Sequence, residues 1–210
     1  SADFGCIADD DTVTITYKAE PVASFSNSSV CLGENTSFTD LSTTTDGTIN
    51  SWQYDFGDAG TSIANNPIHT YNSSGQFAVT LIAGSTNGCF DTTIRYINVN
   101  PVPVAIFSNN YACENEVVYF AETSFLASGD IVSWNWDFNN GENSLVQAPS
   151  SCFVNNSNTE DKTFTISLIV GNDLGCYDTL VNTDLITSWY NPIASFTPSP
   201  EETNMYEAEI

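Results

Sequence analysis

The sequence predicts an all-β protein built as two tandem sandwiches, and three observations carry that prediction. The first is a strand-and-turn element, Trp52-Gln53-Tyr54-Asp55-Phe56-Gly57-Asp58-Ala59-Gly60, in which aromatic and polar residues alternate before glycine-bearing turn chemistry. The second is its return as Trp134-Asn135-Trp136-Asp137-Phe138-Asn139-Asn140-Gly141, 82 residues further on. The third is the absence of any helical period between the two copies, where short alternating runs follow one another instead.

The repeat sets the domain count. Phe25 to Cys31 matches Phe107 to Cys113, Cys31 to Trp52 matches Cys113 to Trp134, and Phe56 to Pro67 matches Phe138 to Pro149. Phe77 to Cys89 then matches Phe164 to Cys176. A register this constant marks two complete modules, 21–100 and 101–190. Residues 1–20 read as the last strand of an upstream module, because Gly5-Cys6 and the run Thr12 to Tyr17 repeat the pattern of Gly88-Cys89 and Phe90 to Val99. Residues 191–210 read as the start of a further one, because Pro192-Ile193-Ala194-Ser195-Phe196 repeats Pro21-Val22-Ala23-Ser24-Phe25. Neither end piece is expected to bury a core alone. Nothing at Ser1 resembles a signal peptide, and Ser1 to Cys6 reads as protein interior. Between Phe153 and Phe164 the second module carries five extra residues in a polar stretch, which reads as a lengthened loop.

Seven strands are expected in the first module, near 22–26, 36–42, 49–56, 61–64, 68–71, 76–84 and 90–99. Phe77, Val79 and Leu81 alternate with Gln76, Ala78 and Thr80, as Phe164, Ile166 and Leu168 do with Thr165 and Ser167. With a tryptophan on a central strand, this spacing points to an immunoglobulin-like sandwich. The junction Val99-Asn100-Pro101-Val102-Pro103 is short and stiffened by proline, so an end-to-end, semi-rigid arrangement is expected.

Composition narrows the function classes. Lys18, Arg95 and Lys162 stand against 26 acidic residues, for a formal charge of −23. A surface with so few cations cannot replace phosphate counterions, which argues against nucleic acid and anionic lipid as partners. Hydrophobic residues make up 41% of the chain, enough for a core in each module, yet no apolar run approaches a membrane span. Six cysteines without a CxxC or Cys/His cluster favour disulfides, an oxidising compartment and an extracellular or cell-surface location.

At this point the motifs resemble a family. Trp-x-Tyr/Trp-Asp-Phe-Gly-Asp, Asn66-Pro67-Ile68-His69-Thr70-Tyr71, Gly75-Gln76-Phe77-Ala78-Val79-Thr80-Leu81 and Asn87-Gly88-Cys89-Phe90-Asp91-Thr92 resemble PKD (polycystic kidney disease) domains. The Gly-Cys-x-Asp-Thr ending is similar to tandem arrays in large surface and gliding-motility adhesins of Bacteroidota-type bacteria. The second module departs from the pattern at Asn139-Asn140-Gly141 and at Ser151-Cys152-Phe153. The resemblance implies a non-catalytic, adhesive stalk or filament segment of a secreted multi-repeat protein. Its partners would be neighbouring repeats, other copies, or surface polysaccharide or protein. The alternative it implies is an accessory carbohydrate- or protein-binding region of a secreted hydrolase, marked by an exposed aromatic row, for which Trp189 and Tyr190 are the candidates.

The remaining chemistry divides between functional and structural readings. Matching positions pair Cys31 with Cys89 and Cys113 with Cys176, which leaves Cys6 to an upstream partner and Cys152 as a buried thiol or crosslink. His69 is the single histidine, and it is expected to position Tyr71 rather than to catalyse. No cofactor motif is present. Asp55, Asp58 and Asp137 could take calcium as some PKD domains do, or cap the turn by accepting backbone N–H groups. Asp9-Asp10-Asp11 is a weaker calcium candidate whose other reading is a solvated turn. Thr12, Thr92 and Thr179 each follow an aspartate, as in the O-glycosylation motif of Bacteroidota secreted proteins, or else the pair shapes the start of the last strand.

Overall fold

The computed structural model describes residues 15–28, 30–110, 116–157, 159–190 and 194–196. Cys6, Asp9-Asp10-Asp11, Thr12, Cys113 and most of the segment from Pro192 onward lie outside them. The chain divides into two compact units between Pro101 and Val102, each an all-β sandwich.

In the first unit, β1 (Phe25–Asn27), β3 (Asn35–Asp40) and β6 (Ile68–Thr70) form a three-stranded sheet in the order β1-β3-β6. The facing sheet runs β2-β8-β7-β4-β5, from β2 (Val30–Cys31), β4 (Ile49–Asp55), β5 (Thr61–Ser62), β7 (Gly75–Ser85) and β8 (Phe90–Asn100). All pairings are antiparallel except β2 with β8, where Val30 lies beside Val99 and Cys31 beside Asn100. That two-residue parallel contact was not legible in the alternation, because so short a strand shows no period.

The second unit repeats the plan. Its three-stranded sheet comprises β9 (Phe107–Asn109), β10 (Val117–Glu122) and β13 (Ser150–Cys152). Its larger sheet comprises β11 (Ile131–Asp137), β12 (Asn143–Ser144), β14 (Lys162–Asn172) and β15 (Tyr177–Ser188). Here β15 carries extra residues between Asn182 and Ile186, taken up as a bulge at Asp184, whose φ is 51°.

Both cores are aromatic ladders. Phe25, Phe38, Tyr54 and Phe56 pack with ring centroids 5.0–6.0 Å apart, and Val79, Leu81, Ile97 and Val99 close the first core behind them. Phe107, Phe120, Trp136, Phe138 and Phe153 do the same in the second. Each fully buried ring contributes about 1.5–3 kcal/mol relative to exposure. The central tryptophan of the sandwich is Trp136, with Tyr54 in its place in the first unit. Trp52 and Trp134 pack at the margin of their cores.

Candidate functional site

The strand-to-turn corner after β4 brings Asp58 and His69 together. Phe56 leaves β4 into a turn in which Gly57 has φ of 82° and Ala59 of 73°. Asp55 Oδ1 accepts the Gly57 N–H at 2.9 Å, and Asp58 Oδ1 accepts the Gly60 N–H at 3.0 Å. Asp58 Oδ2 meets His69 Nε2 at 2.8 Å. The imidazole stacks on Phe56 at 4.2 Å and 8°, and Tyr71 meets its edge at 4.7 Å. Tyr71 in turn donates from its hydroxyl to the Phe56 carbonyl at 3.3 Å. His69 therefore ties the turn to the core through packing and a cap.

The same corner in the second unit uses different chemistry in the same places. Asn140 stands for Asp58, Glu142 for Gly60 and Ser151 for His69. Asn140 Nδ2 donates to Ser151 Oγ at 2.8 Å, and Ser151 Oγ donates to Glu142 Oε2 at 2.6 Å. Asp137 Oδ1 accepts the Asn139 N–H at 2.8 Å, as Asp55 accepts that of Gly57. Two of the exchanges, at Gly60 and at His69, are coupled by volume. A Cβ on Gly60 would lie 2.5 Å from His69 Cε1, so glycine is what admits the ring. Where the ring gives way to serine, a glutamate fits.

Burial pushes the Asp58 carboxyl up, but the hydrogen bonds from His69 and Gly60 outweigh it and hold the group below its ordinary value. Glu122 follows the same balance, with Ser124 and Gln147 as donors. Tyr54 and Tyr71 are pushed up to about 12, chiefly by burial and secondarily by Asp40 and Asp58 respectively. Asp55, Asp58 and Asp137 thus serve turn amides, and among the described residues no group of three His, Cys, Asp or Glu side chains is placed to hold a metal.

The cysteine pairing expected within the first module is corrected. Cys89 and Cys152 carry free thiols, whereas Cys31 and Cys176 are disulfide-bonded. The reason is strand geometry. Cys31 sits beside Asn100 at the far end of β8, and Cys89 immediately precedes its first residue, Phe90. The ten steps along β8 that lie between them alone span about 34 Å, whereas a disulfide needs Cα atoms within about 7 Å. Matching positions in the repeat identified the cysteines but not their distance.

The aspartates of the Asp-Thr pairs have a structural task. Asp91 Oδ2 accepts the Ala23 N–H at 2.8 Å, and Asp178 Oδ2 accepts that of Ala105 at 2.8 Å, pinning the first segment of each module to its last strand. Thr92 and Thr179 point away from the core and are exposed.

The exposed aromatics expected at Trp189 and Tyr190 are present, and a second exposed apolar row lies elsewhere. Trp189 and Tyr190 are exposed at the end of the second unit, with the Tyr190 N–H donating to Asp161. The longer row is on the outer face of the first unit's larger sheet, where Phe90, Ile94 and Tyr96 are 62%, 58% and 70% exposed. Gly84, Ile82, Thr80 and Ala78 flank them on β7, with Ser51, Gln53 and Asp55 beyond on β4. Phe90 lies against Gly84, where a Cβ would come within 2.6 Å of the ring, and Tyr177 lies against Gly171 in the second unit. The signal in sequence was a last strand apolar on both faces: Ile97 and Val99 inward, Phe90, Ile94 and Tyr96 outward.

Two sandwiches with this aromatic ladder and glycine turn define immunoglobulin-like modules in tandem. A sequence profile described as PKD domain matches residues 18–97 and again 98–187. The chain belongs to the PKD domain family. It is 35% identical over 104 residues to the Pre-pro-metalloprotease PrtV of Vibrio cholerae, across 48% of this chain and 11% of that protein. Among solved structures it is similar to the PKD1 domain of Vibrio anguillarum Epp, at 30% identity, covering 40% of this chain and 96% of that one with a TM-score of 0.38. It is also similar to the PKD1 domain of the V. cholerae metalloprotease PrtV, at 32% identity, with coverage of 38% and 96% and a TM-score of 0.36. The chain spans about a tenth of the length of the curated relative it matches.

Proposed function

We propose that these modules are the non-catalytic binding region of a larger extracellular protein, holding it against a polysaccharide surface. The observation that carries this reading is the outer face of β7 and β8. Phe90, Ile94 and Tyr96 present apolar surface, and Gln53, Thr80 and Thr92 supply neutral hydrogen-bonding groups beside it. Asp55 is the single carboxylate among the paired positions of that face. In a chain of net charge −23, a stripe so nearly free of charge suits a neutral ligand with both apolar and hydroxyl faces. Sugar rings have that chemistry. Similarity to part of a metalloprotease supports an accessory role beside a catalytic domain. The disulfide-bonded Cys31 and Cys176 support an oxidising compartment, and no helix among the described residues is long and apolar enough to cross a membrane.

A second reading is favoured by one observation in the sequence. The module landmarks recur outside the two complete copies, at Gly5-Cys6 and at Pro192 to Phe196. Further repeats would make the chain part of a multi-repeat adhesive stalk, as in gliding-motility adhesins, with function in reach and multivalent contact. Thr92 and Thr179 remain its glycosylation candidates, testable by intact-mass analysis of the native protein.

Co-sedimentation of the full chain with insoluble neutral polysaccharides tests the binding reading. Retention that Phe90→Ser and Tyr96→Ser abolish supports it. Retention unchanged by both substitutions refutes the assignment of this face.

A further inference from the structure

The places where the second module departs from the repeat converge on one cavity. A cleft of about 320 Å³ is lined by Asn140, Glu142, Cys152, Val154, Asn156, Lys162 and Phe164. Asn140 and Glu142 are the altered turn, Cys152 the altered strand, and Val154 and Asn156 belong to the lengthened loop. Lys162 replaces the residue that is Gly75 in the first module. Asn155 anchors the loop: it is buried, and its Nδ2 donates to the carbonyls of Glu160 at 2.8 Å and Ser188 at 2.9 Å. The insertion is thus a built wall.

Neither charge of this cleft is neutralised by an ion pair among the described residues. Lys162 is one of three cations in a chain with 26 acidic residues, yet among the described residues it enters no ion pair; its ammonium lies 4.8 Å above the Phe164 ring. Glu142 accepts the Ser151 hydroxyl at Oε2, and its carboxylate lines the cleft. The two opposite charges line one cavity without meeting. We propose that the cleft binds a small zwitterion of the amino-acid or short-peptide class, with the ligand carboxylate at Lys162 and its ammonium at Glu142. An anionic ligand such as a uronic acid would meet both Glu142 and the net negative field, whereas a zwitterion carries no net charge into that field. Asn156 offers donor and acceptor to the ligand backbone.

Amide chemical-shift mapping on the full chain tests the proposal, with L-alanyl-L-alanine as the probe. Saturable shifts confined to residues 140–142, 152–156 and 162–164 are expected. The same dipeptide capped at both ends, and glucuronate, should leave those amides unmoved. Lys162→Gln should weaken binding about tenfold or more, the loss of one charge-assisted hydrogen bond. Glu142→Gln, which keeps an acceptor for Ser151, should do likewise, and Lys162→Arg should retain binding. Should Lys162→Gln fail to fold, Glu142→Gln and the capped probe carry the test. No saturable shift, equal binding of the capped dipeptide, binding of glucuronate instead, or indifference to the substitutions would each overturn the proposal.

Discussion

Gly60→Ala is expected to destabilise the first module, and the cost should vanish when His69 is serine. The added Cβ would sit 2.5 Å from His69 Cε1 and 2.9 Å from Asp58 Oδ1, against an ordinary contact of about 3.5–4.0 Å. The ring has little freedom to retreat, with Phe56 stacked at 4.2 Å, Tyr71 at its edge and Asp58 held at 2.8 Å. Overpacking of this kind costs about 1–3 kcal/mol. Glycine-to-alanine replacement returns about 0.4–1 kcal/mol through the unfolded chain, since Gly60 has no left-handed backbone to preserve. The net expectation is a loss of about 1–2 kcal/mol. In a His69→Ser background the contact with the ring is gone and only that with Asp58 Oδ1 remains, an approach the second module accommodates at Asn140 and Glu142, so the same change should be close to neutral. Hydrogen exchange of β7 amides in the full chain measures it, with β14 amides as the internal reference. The same effect of Gly60→Ala in both backgrounds would refute the volume coupling inferred from Gly60 and Glu142.

Three other outcomes follow from the same geometry. Asp58 titrates below its ordinary value, so its contribution is present above the unfolded carboxylate pKa and is lost as pH falls through the folded one; Asp58→Asn should flatten the acid limb of the first module's stability, measured by the same exchange. Tyr54 and Tyr71 favour the neutral phenol, so two of the nine tyrosines should resist ionisation until about pH 12, and stability should fall as pH rises from about 10 to about 12. Phenolate absorbance against pH, beside circular dichroism, checks both. Alkylation without reductant should label Cys89 and Cys152 and leave Cys31 and Cys176 unmodified; a Cys31–Cys89 crosslinked peptide would contradict the strand geometry.

What the sequence made legible was whatever repeats with a period. Alternation located β3, β4, β7 and β8 to within a few residues, because one buried face imposes it. The constant spacing revealed two modules and the aromatic ladder at their centre. The parallel contact of β2 with β8 escaped, as it rests on two residues. The cysteine pairing escaped because the two-residue β2 gives no sign in sequence that Cys31 will lie beside Asn100, at the opposite end of β8 from Cys89. His69 was read correctly as a partner of Tyr71, but its dependence on Gly60 shows only when the two corners are compared residue by residue. The cleft of the second module was legible only as scattered irregularities. Folding brings Glu142, Cys152 and Lys162 to one place.

The central claim is that the exposed face of β7 and β8 is a binding surface for neutral polysaccharide. Affinity electrophoresis of the full chain through gels containing soluble neutral polysaccharides tests it most directly. The account predicts retarded migration that Phe90→Ser with Tyr96→Ser restores to the rate seen without polysaccharide, while the Trp189→Ser chain stays retarded. Retardation that survives the double substitution, or migration unretarded in every gel, would contradict it.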